Sequence, residues 1–148
     1  MARILARVLM LTAATLGVWL YLVRYSERNA GQVNACRVSF VYDGDTVALT
    51  CGDEEVTARL QGLDTPETRD ARCDAELALG KKTTERLRGL VKAGQVRYLR
   101  QGHDKYGRML IRLTVDGMDV AKTLISEGLA VEYTGGSRID WCRKLEAT

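Results

Sequence analysis

The 148-residue chain has one proline, one histidine, one phenylalanine and 6% aromatic residues in all, and none of its four cysteines stands in a C-x-x-C pair. So little proline, with scattered glycines and no Ser-rich or low-complexity run, excludes fibrous and disordered classes and leaves a packed core as the expectation. The missing C-x-x-C spacing argues against a structural zinc site. Excess basic charge is missing too, from most of the chain. The formal net charge is +3, yet Arg3, Arg7, Arg24 and Arg28 against Glu27 supply all of it. From Cys36 onward eighteen basic residues face eighteen acidic ones. A neutral domain has no bulk field with which to gather nucleic acid, so an anion must be held by a few placed groups. The length fits one domain with an appendage and not two domains.

One long hydrophobic run is present. Ile4 to Val23 carries a single charge, Arg7, and as a helix would span about 30 Å, the thickness of a hydrocarbon core. Arg3 and Arg7 followed by Val8 to Val23 also make the n- and h-regions of a signal peptide. Against cleavage, Arg24, Glu27 and Arg28 follow at once, and the nearest small-x-small candidate, Val33 to Ala35, lies too far on. A charged spacer also weakens a lipidation reading of Val33-Asn34-Ala35-Cys36. The expectation is one N-terminal transmembrane or signal helix over 1–24, an anchor with the cleaved signal peptide as competing reading, then a linker over 25–35 and a domain over 36–148. Two arginines flank each side of the run and leave its orientation open.

The cysteines bear on orientation. Arg37 to Tyr42 and Asp45 to Thr50 are β-rich runs on either side of Asp43-Gly44, a dipeptide suited to a two-residue hairpin turn. In that register Cys36 faces Cys51, with Cα atoms about 5.5 Å apart in a hydrogen-bonded pair, within the range of a disulfide. A β-bulge would shift the register by one. By elimination Cys73 pairs with Cys142. Two disulfides imply an oxidising compartment, so that the domain lies on the outer (periplasmic or extracellular) side of a membrane. Four reduced, buried thiols in a cytosolic domain are the alternative.

Glu55 to Gln61 extends a meander through a Gly52-Asp53 turn, and Asp74 to Lys92 reads as a helix capped by Asp74, striped by Leu87, Leu90 and Val91 and closed by Gly94. Val96 to Gln101 and Arg108 to Val115 are two further strands, with His103 in the loop between them and an Asp116-Gly117 turn after them. Val120 to Glu127 is a short helix, with Ala121, Leu124 and Ile125 inward and Gly128 at its end. A mainly β fold with α follows: a five-stranded OB-fold barrel with two or three packed helices.

The chemistry gathers at strand ends. Pairing through Gly52-Asp53 sets Arg59 beside Thr46 and Asp45, with Asp64 just past the same end. The only proline stiffens Asp64-Thr65-Pro66-Glu67-Thr68, holding Glu67 near Asp64. Carboxylates with a backbone carbonyl make a hard-oxygen site for Ca²⁺ or Mg²⁺, and guanidiniums beside a dication suit a phosphodiester in its transition state. Each piece alone has a plain reading: Asp43-Gly44 a turn, Arg59 a surface residue, Asp104 to Arg108 a polar loop.

Together, Val41-Tyr42-Asp43-Gly44-Asp45-Thr46-Val47, Arg59-Leu60 leading into Asp64-Thr65-Pro66-Glu67-Thr68, and Asp104-Lys105-Tyr106-Gly107-Arg108 resemble the staphylococcal nuclease (thermonuclease) family in order and interval, over about Cys36 to Tyr133. The resemblance implies an OB-fold, Ca²⁺-dependent hydrolase of DNA and RNA that breaks the bond to the 5′ oxygen and leaves 3′-phosphate ends. It implies that Asp45 and Asp64 ligate Ca²⁺ with the carbonyl of Thr65, Mg²⁺ and Mn²⁺ accepting similar ligands. It implies that Glu67 orients or deprotonates water, that Arg59 and Arg108 bind the scissile phosphate, and that Lys105 and Tyr106 contact the nucleotide or its terminal phosphate. The segment Gly135 to Cys142 departs from the family's long C-terminal helix and is similar to the tail of short, cysteine-containing bacterial members. Neutral charge and few aromatics predict weak, salt-sensitive substrate binding. No protein partner is singled out, and a monomer is expected. The rival classes are a non-catalytic OB-fold binding module and a membrane-anchored interaction protein.

Overall fold

A computed structural model describes residues 15–22, 24 and 36–147, and the chain divides into two units, Met1–Val33 and Asn34–Thr148. In the first unit the described residues are helical and exposed. Among the described residues no helix is long and apolar enough to cross a membrane. Most of the expected span Ile4 to Val23 lies outside them.

The second unit is built on a curled sheet. Strands β1 (Cys36–Val41), β2 (Thr46–Cys51) and β3 (Glu54–Leu60) form the expected meander. A short β4 (Gly62–Asp64) leads into helix α1 (Asp74–Ala93). Strands β5 (Val96–His103), β6 (Met109–Val115) and β7 (Met118–Asp119), helix α2 (Val120–Ser126), strand β8 (Val131–Tyr133) and helix α3 (Trp141–Glu146) follow. The sheet order is β1-β2-β3-β6-β5, with β7 beside β6, and β3 runs parallel to β6 through Ala58↔Met109 and Leu60↔Ile111. The five long strands are those expected. What they form is a curled half-barrel consistent with the OB type: among the described residues no ladder joins β1 to β5. The sequence reading did not anticipate β4, β7 and β8, each only two or three residues long and without a pattern of its own.

Alternation explains the core. Val47, Leu49, Ala58, Leu60, Ile111 and Leu113 point inward from β2, β3 and β6 and meet Leu87 and Leu90 of α1 and Leu124 of α2, all nearly inaccessible to solvent. Helix α1 begins where expected, but its N-cap is Cys73, with no side-chain cap, and Asp74 is its first residue. Cys73, joined to Cys142, stands at the cap in extended backbone. Gly94 ends α1 in extended rather than left-handed backbone (φ −138°), because the chain must pass against Asp116 and Val115. His103 ends β5 instead of lying in the loop, opposite Met109 and beside Arg100.

The first hairpin corrects the sequence reading instructively. Cys36 does face Cys51, and the disulfide is present with Cα atoms 4.1 Å apart, nearer the spacing of a non-hydrogen-bonded pair than the expected 5.5 Å. The turn, however, is wider than two residues. Val41 pairs with Val47, and the N–H groups of Tyr42 and Asp43 both donate to the carbonyl of Thr46 (3.0 and 3.4 Å). The wider loop shifts register by one, and a bulge between Val38 and Phe40 shifts it back. The second pairing, Cys73 with Cys142, also forms.

Candidate active site

The loop between β1 and β2 turns Asp45 inward. The N–H of Asp45 donates to the Asp43 carboxylate (3.1 Å), an Asx turn, and Gly44 packs where a Cβ would collide with Thr83 and Thr65 at 2.6–2.9 Å. The expected role of Gly44 as a hairpin-turn residue is thus replaced by close packing. Asp45 is buried, and Thr46 donates to its Oδ1 (2.9 Å). The β2–β3 register is the expected one, Thr46 opposite Arg59, which brings the Arg59 guanidinium to 2.7 Å from Asp45 Oδ2 and 3.9 Å from Asp64 Oδ1.

Asp64, at the end of β4, is fixed by the pairing Asp64↔Val131 with β8. Thr65 and Pro66 are buried beside it. The loop then lies against α1 at Gly80, where a Cβ would meet the carbonyls of Glu67 and Pro66 at 2.7 and 2.9 Å. Glu76 of α1, itself buried, anchors this loop by accepting the N–H of Glu67 (3.4 Å) and of Arg72 (2.8 Å). Glu67 is left with its carboxylate a third exposed at the mouth of the site.

Two residues of the site were not foreseen. Arg138, on the segment before α3, sets Nε 2.9 Å from Asp64 Oδ1, Nη2 3.4 Å from Asp45 Oδ2 and Nη1 on Glu67 Oε1. Trp141, buried at the start of α3, donates from Nε1 to Asp64 Oδ2 (3.1 Å). The available signal was the cysteine pairing. Cys73 lies six residues past Glu67, so a disulfide to Cys142 obliges Arg138 and Trp141 to return to the same place.

Arg108, Lys105 and Tyr106 lie on the β5–β6 loop. Arg108 is held by Asp104, whose Oδ2 accepts from Nε (2.7 Å) and whose Oδ1 accepts the N–H groups of Tyr106 and Arg108 (each 2.9 Å). Tyr106 is 71% exposed, with Lys105 Nζ 5.0 Å and the Arg108 guanidinium 5.7 Å from its ring centre. A cavity of about 1150 Å³ unites both groups: its lining includes Arg59, Glu67, Lys105, Tyr106, Arg108 and Arg138.

Electrostatically the site is an acid cluster held by guanidiniums. Burial pushes the Asp45 carboxyl up, to about 7, against the pull of Arg59, with nearby Asp43 adding to the rise and Thr46 and Arg138 opposing it. Asp64 Oδ1 is buried and accepts no hydrogen bond, although two guanidiniums stand near it. An oxygen so placed, beside a second buried carboxylate, fits a hard divalent cation. Asp45, Asp64 and the neighbouring Thr65 carbonyl are the groups that would hold it. Among the described residues the one set of three acid or sulfur ligand atoms lying within 4.8 Å of one another is Cys73, Glu76 and Cys142, and its sulfurs are tied in a disulfide.

Fold and site define a protein with a curled half-barrel consistent with the OB type, with buried carboxylates held by arginines beside an open groove. Residues 57–146 match the family described as "Staphylococcal nuclease homologue", and the chain belongs to that family. It is 33% identical over 101 residues to an "Uncharacterized endonuclease" of Haemophilus influenzae, covering 68% of this chain and 53% of that protein. It is 37% identical over 91 residues to the "SPbeta prophage-derived endonuclease YokF" of Bacillus subtilis, covering 60% of this chain and 30% of the other. To "Endonuclease YncB" of the same organism it is 36% identical over 91 residues, covering 60% and 43%. The matched region thus spans about a third to a half of these relatives.

Proposed function

We propose that the chain is a divalent-cation-dependent nuclease, Ca²⁺ being the ion that the resemblance implies, which hydrolyses DNA or RNA and leaves 3′-phosphate ends. One observation carries this reading: Asp45 and Asp64, buried behind the groove that Glu67, Arg59 and Arg108 line, meet at Arg59, and Asp64 Oδ1 accepts no hydrogen bond although Arg138 Nε pairs with it at 2.9 Å. That its relatives are named endonucleases supports it.

Asp45, Asp64 and the Thr65 carbonyl would hold the cation, whose positive charge would offset that of the reacting phosphate. The chain's own residues do the rest. Arg59, aligned by its ion pair with Asp45, and Arg108, aligned by Asp104, neutralise the charge that grows on the non-bridging oxygens. Glu67 takes a proton from the attacking water, whose oxygen bonds to phosphorus opposite the 5′ oxygen. The P–O5′ bond breaks, the 5′ oxygen takes up a proton from solvent water, and the products are a 3′-phosphate and a 5′-hydroxyl. Lys105 and Tyr106 meet the nucleotide. In this reading the protein works as a monomer, anchored with its domain on the outer side of a membrane, or secreted if the N-terminal segment is cleaved. The disulfides support the oxidising compartment. A non-catalytic binding module would have no need of a buried acid cluster, whose upkeep costs desolvation.

Glu67→Gln tests the base. Turnover should fall by about 10²- to 10⁴-fold while the circular dichroism spectrum and melting temperature stay close to wild type. Unchanged turnover removes Glu67 from that role.

A further inference from the structure

The hydrolysis just described leaves one cation of the site without a task. Arg138 bridges all three acids, and the oxygens it holds on Asp64 and Asp45 belong to the groups assigned to a divalent cation. A guanidinium and a dication cannot both fill the space between the same carboxylates. Of the two arginines at the acids, Arg138 is the mobile candidate. Its side chain is 37% exposed against 14% for Arg59, which is fixed in the β2–β3 ladder. The backbone around it is tied by side chains on both sides, with the Tyr133 hydroxyl donating to the Gly136 carbonyl (2.7 Å), and by a backbone turn after it. Asp140 caps α3 and the Ile139 carbonyl accepts from Arg72, and Gly135 and Gly136 precede it with φ of 112° and 93°. Charge gives the direction of movement. With all three acids ionised, Arg59 and Arg138 leave one negative charge. A dication among the acids, with Arg138 turned to the groove it lines, leaves one positive charge, the complement of one phosphodiester.

We propose that Arg138 is an exchanging counter-ion and a further substrate-binding residue of this site. It closes the acid cluster when no metal is bound, is displaced from the carboxylates by a divalent cation, and then binds the nucleic-acid phosphate beside Arg59 and Arg108. This rests on the metal site proposed above, and the test separates the two.

Ca²⁺ binding is measured by calorimetry on the 148-residue chain with both disulfides oxidised, for wild type, Arg138→Gln, Arg112→Gln and Asp64→Asn. Arg112 lines the same cavity but pairs with Asp119 and touches none of the three acids, so its variant measures simple loss of charge. Arg138→Gln should bind Ca²⁺ about tenfold more tightly than wild type, Arg112→Gln within about twofold of it, and Asp64→Asn weakly or not at all. With Ca²⁺ present, a hydrolysis-resistant phosphorothioate oligonucleotide should bind Arg138→Gln about tenfold less tightly than wild type. Equal Ca²⁺ affinity in wild type and Arg138→Gln, or equal gains in both arginine variants, overturns the exchange and leaves the metal site standing. Unchanged oligonucleotide affinity overturns the substrate role. Absence of Ca²⁺ binding in wild type and Arg138→Gln alike overturns the metal site and this proposal together.

Discussion

Asp64 illustrates how a single carboxylate is prepared. Trp141 occupies Oδ2 at 3.1 Å, and Oδ1, without a hydrogen bond, faces the guanidiniums. One oxygen is tied so that the other points. Trp141→Phe keeps an aromatic ring and removes the tie, so in steady-state kinetics kcat should fall about tenfold with KM nearly unchanged, and the unpaired buried oxygen should cost about 1–3 kcal/mol in a thermal melt. Equal activity would deny Trp141 a positioning role. Asp104 prepares Arg108 in a similar way. Despite the opposing cost of desolvation, hydrogen bonds from the Arg108 side chain and from the N–H groups of Arg108 and Tyr106 lower its pKa below the usual 3.8. A depressed carboxyl contributes stability that is complete above its unfolded pKa and lost as pH falls through the folded value. Asp104→Ala should therefore narrow the stability gap to wild type only below about pH 4, while raising KM for oligonucleotides at neutral pH. A gap constant down to pH 2 would contradict this. These residues differ in how well the sequence exposed them. Asp45, Arg59, Asp64 and Glu67 sit in or next to patterned strands and a proline loop, whereas Arg138 follows two glycines in an unpatterned segment.

At the scale of elements, local pattern carried most of the fold. The Gly52-Asp53 turn fixes the β2–β3 ladder without a bulge, so Arg59 stands beside Thr46 as the sequence requires. The β1–β2 pairing shows the limit. A wider loop and a bulge cancel, so Cys36 meets Cys51 through a route that alternation alone does not reveal. Strands β4 and β8 were not legible because three residues have no period, and their pairing depends on where α1 and α2 place the chain. The segment carrying Arg138, with α3, is held by the Cys73–Cys142 disulfide and by Arg72, which lies 3.9 Å from Asp140. The two sulfurs close a loop of sequence separation 69, so Cys73→Ser with Cys142→Ser should cost roughly 2–5 kcal/mol in denaturant unfolding. Turnover should also drop below that of a Cys36→Ser, Cys51→Ser variant compared at equal folded fraction, since only the first pair ties Arg138 and Trp141 to the site. Equal turnover in the two variants would separate the tail from catalysis.

For the molecule as a whole, the neutral domain and its local arginines make a consistent design. With no net charge from Cys36 onward, the affinity for nucleic acid proposed above would rest on the few cations lining one groove, and weak, salt-sensitive binding is the expected outcome of a titration at several salt concentrations. The curled sheet brings strand ends, the Pro66 loop and the C-terminal segment to that groove. Sequence alone reached the first two and, through Cys142, had only a pointer to the third. The most direct measurement is hydrolysis of single-stranded DNA and RNA by the oxidised 148-residue chain with Ca²⁺, with Mg²⁺ and with chelator, beside Arg59→Ala. The expected result is cleavage that chelator abolishes and that Arg59→Ala lowers by about 10²- to 10³-fold. A folded, disulfide-intact protein that cleaves neither substrate with any cation, or that cleaves equally well without Arg59, would contradict it.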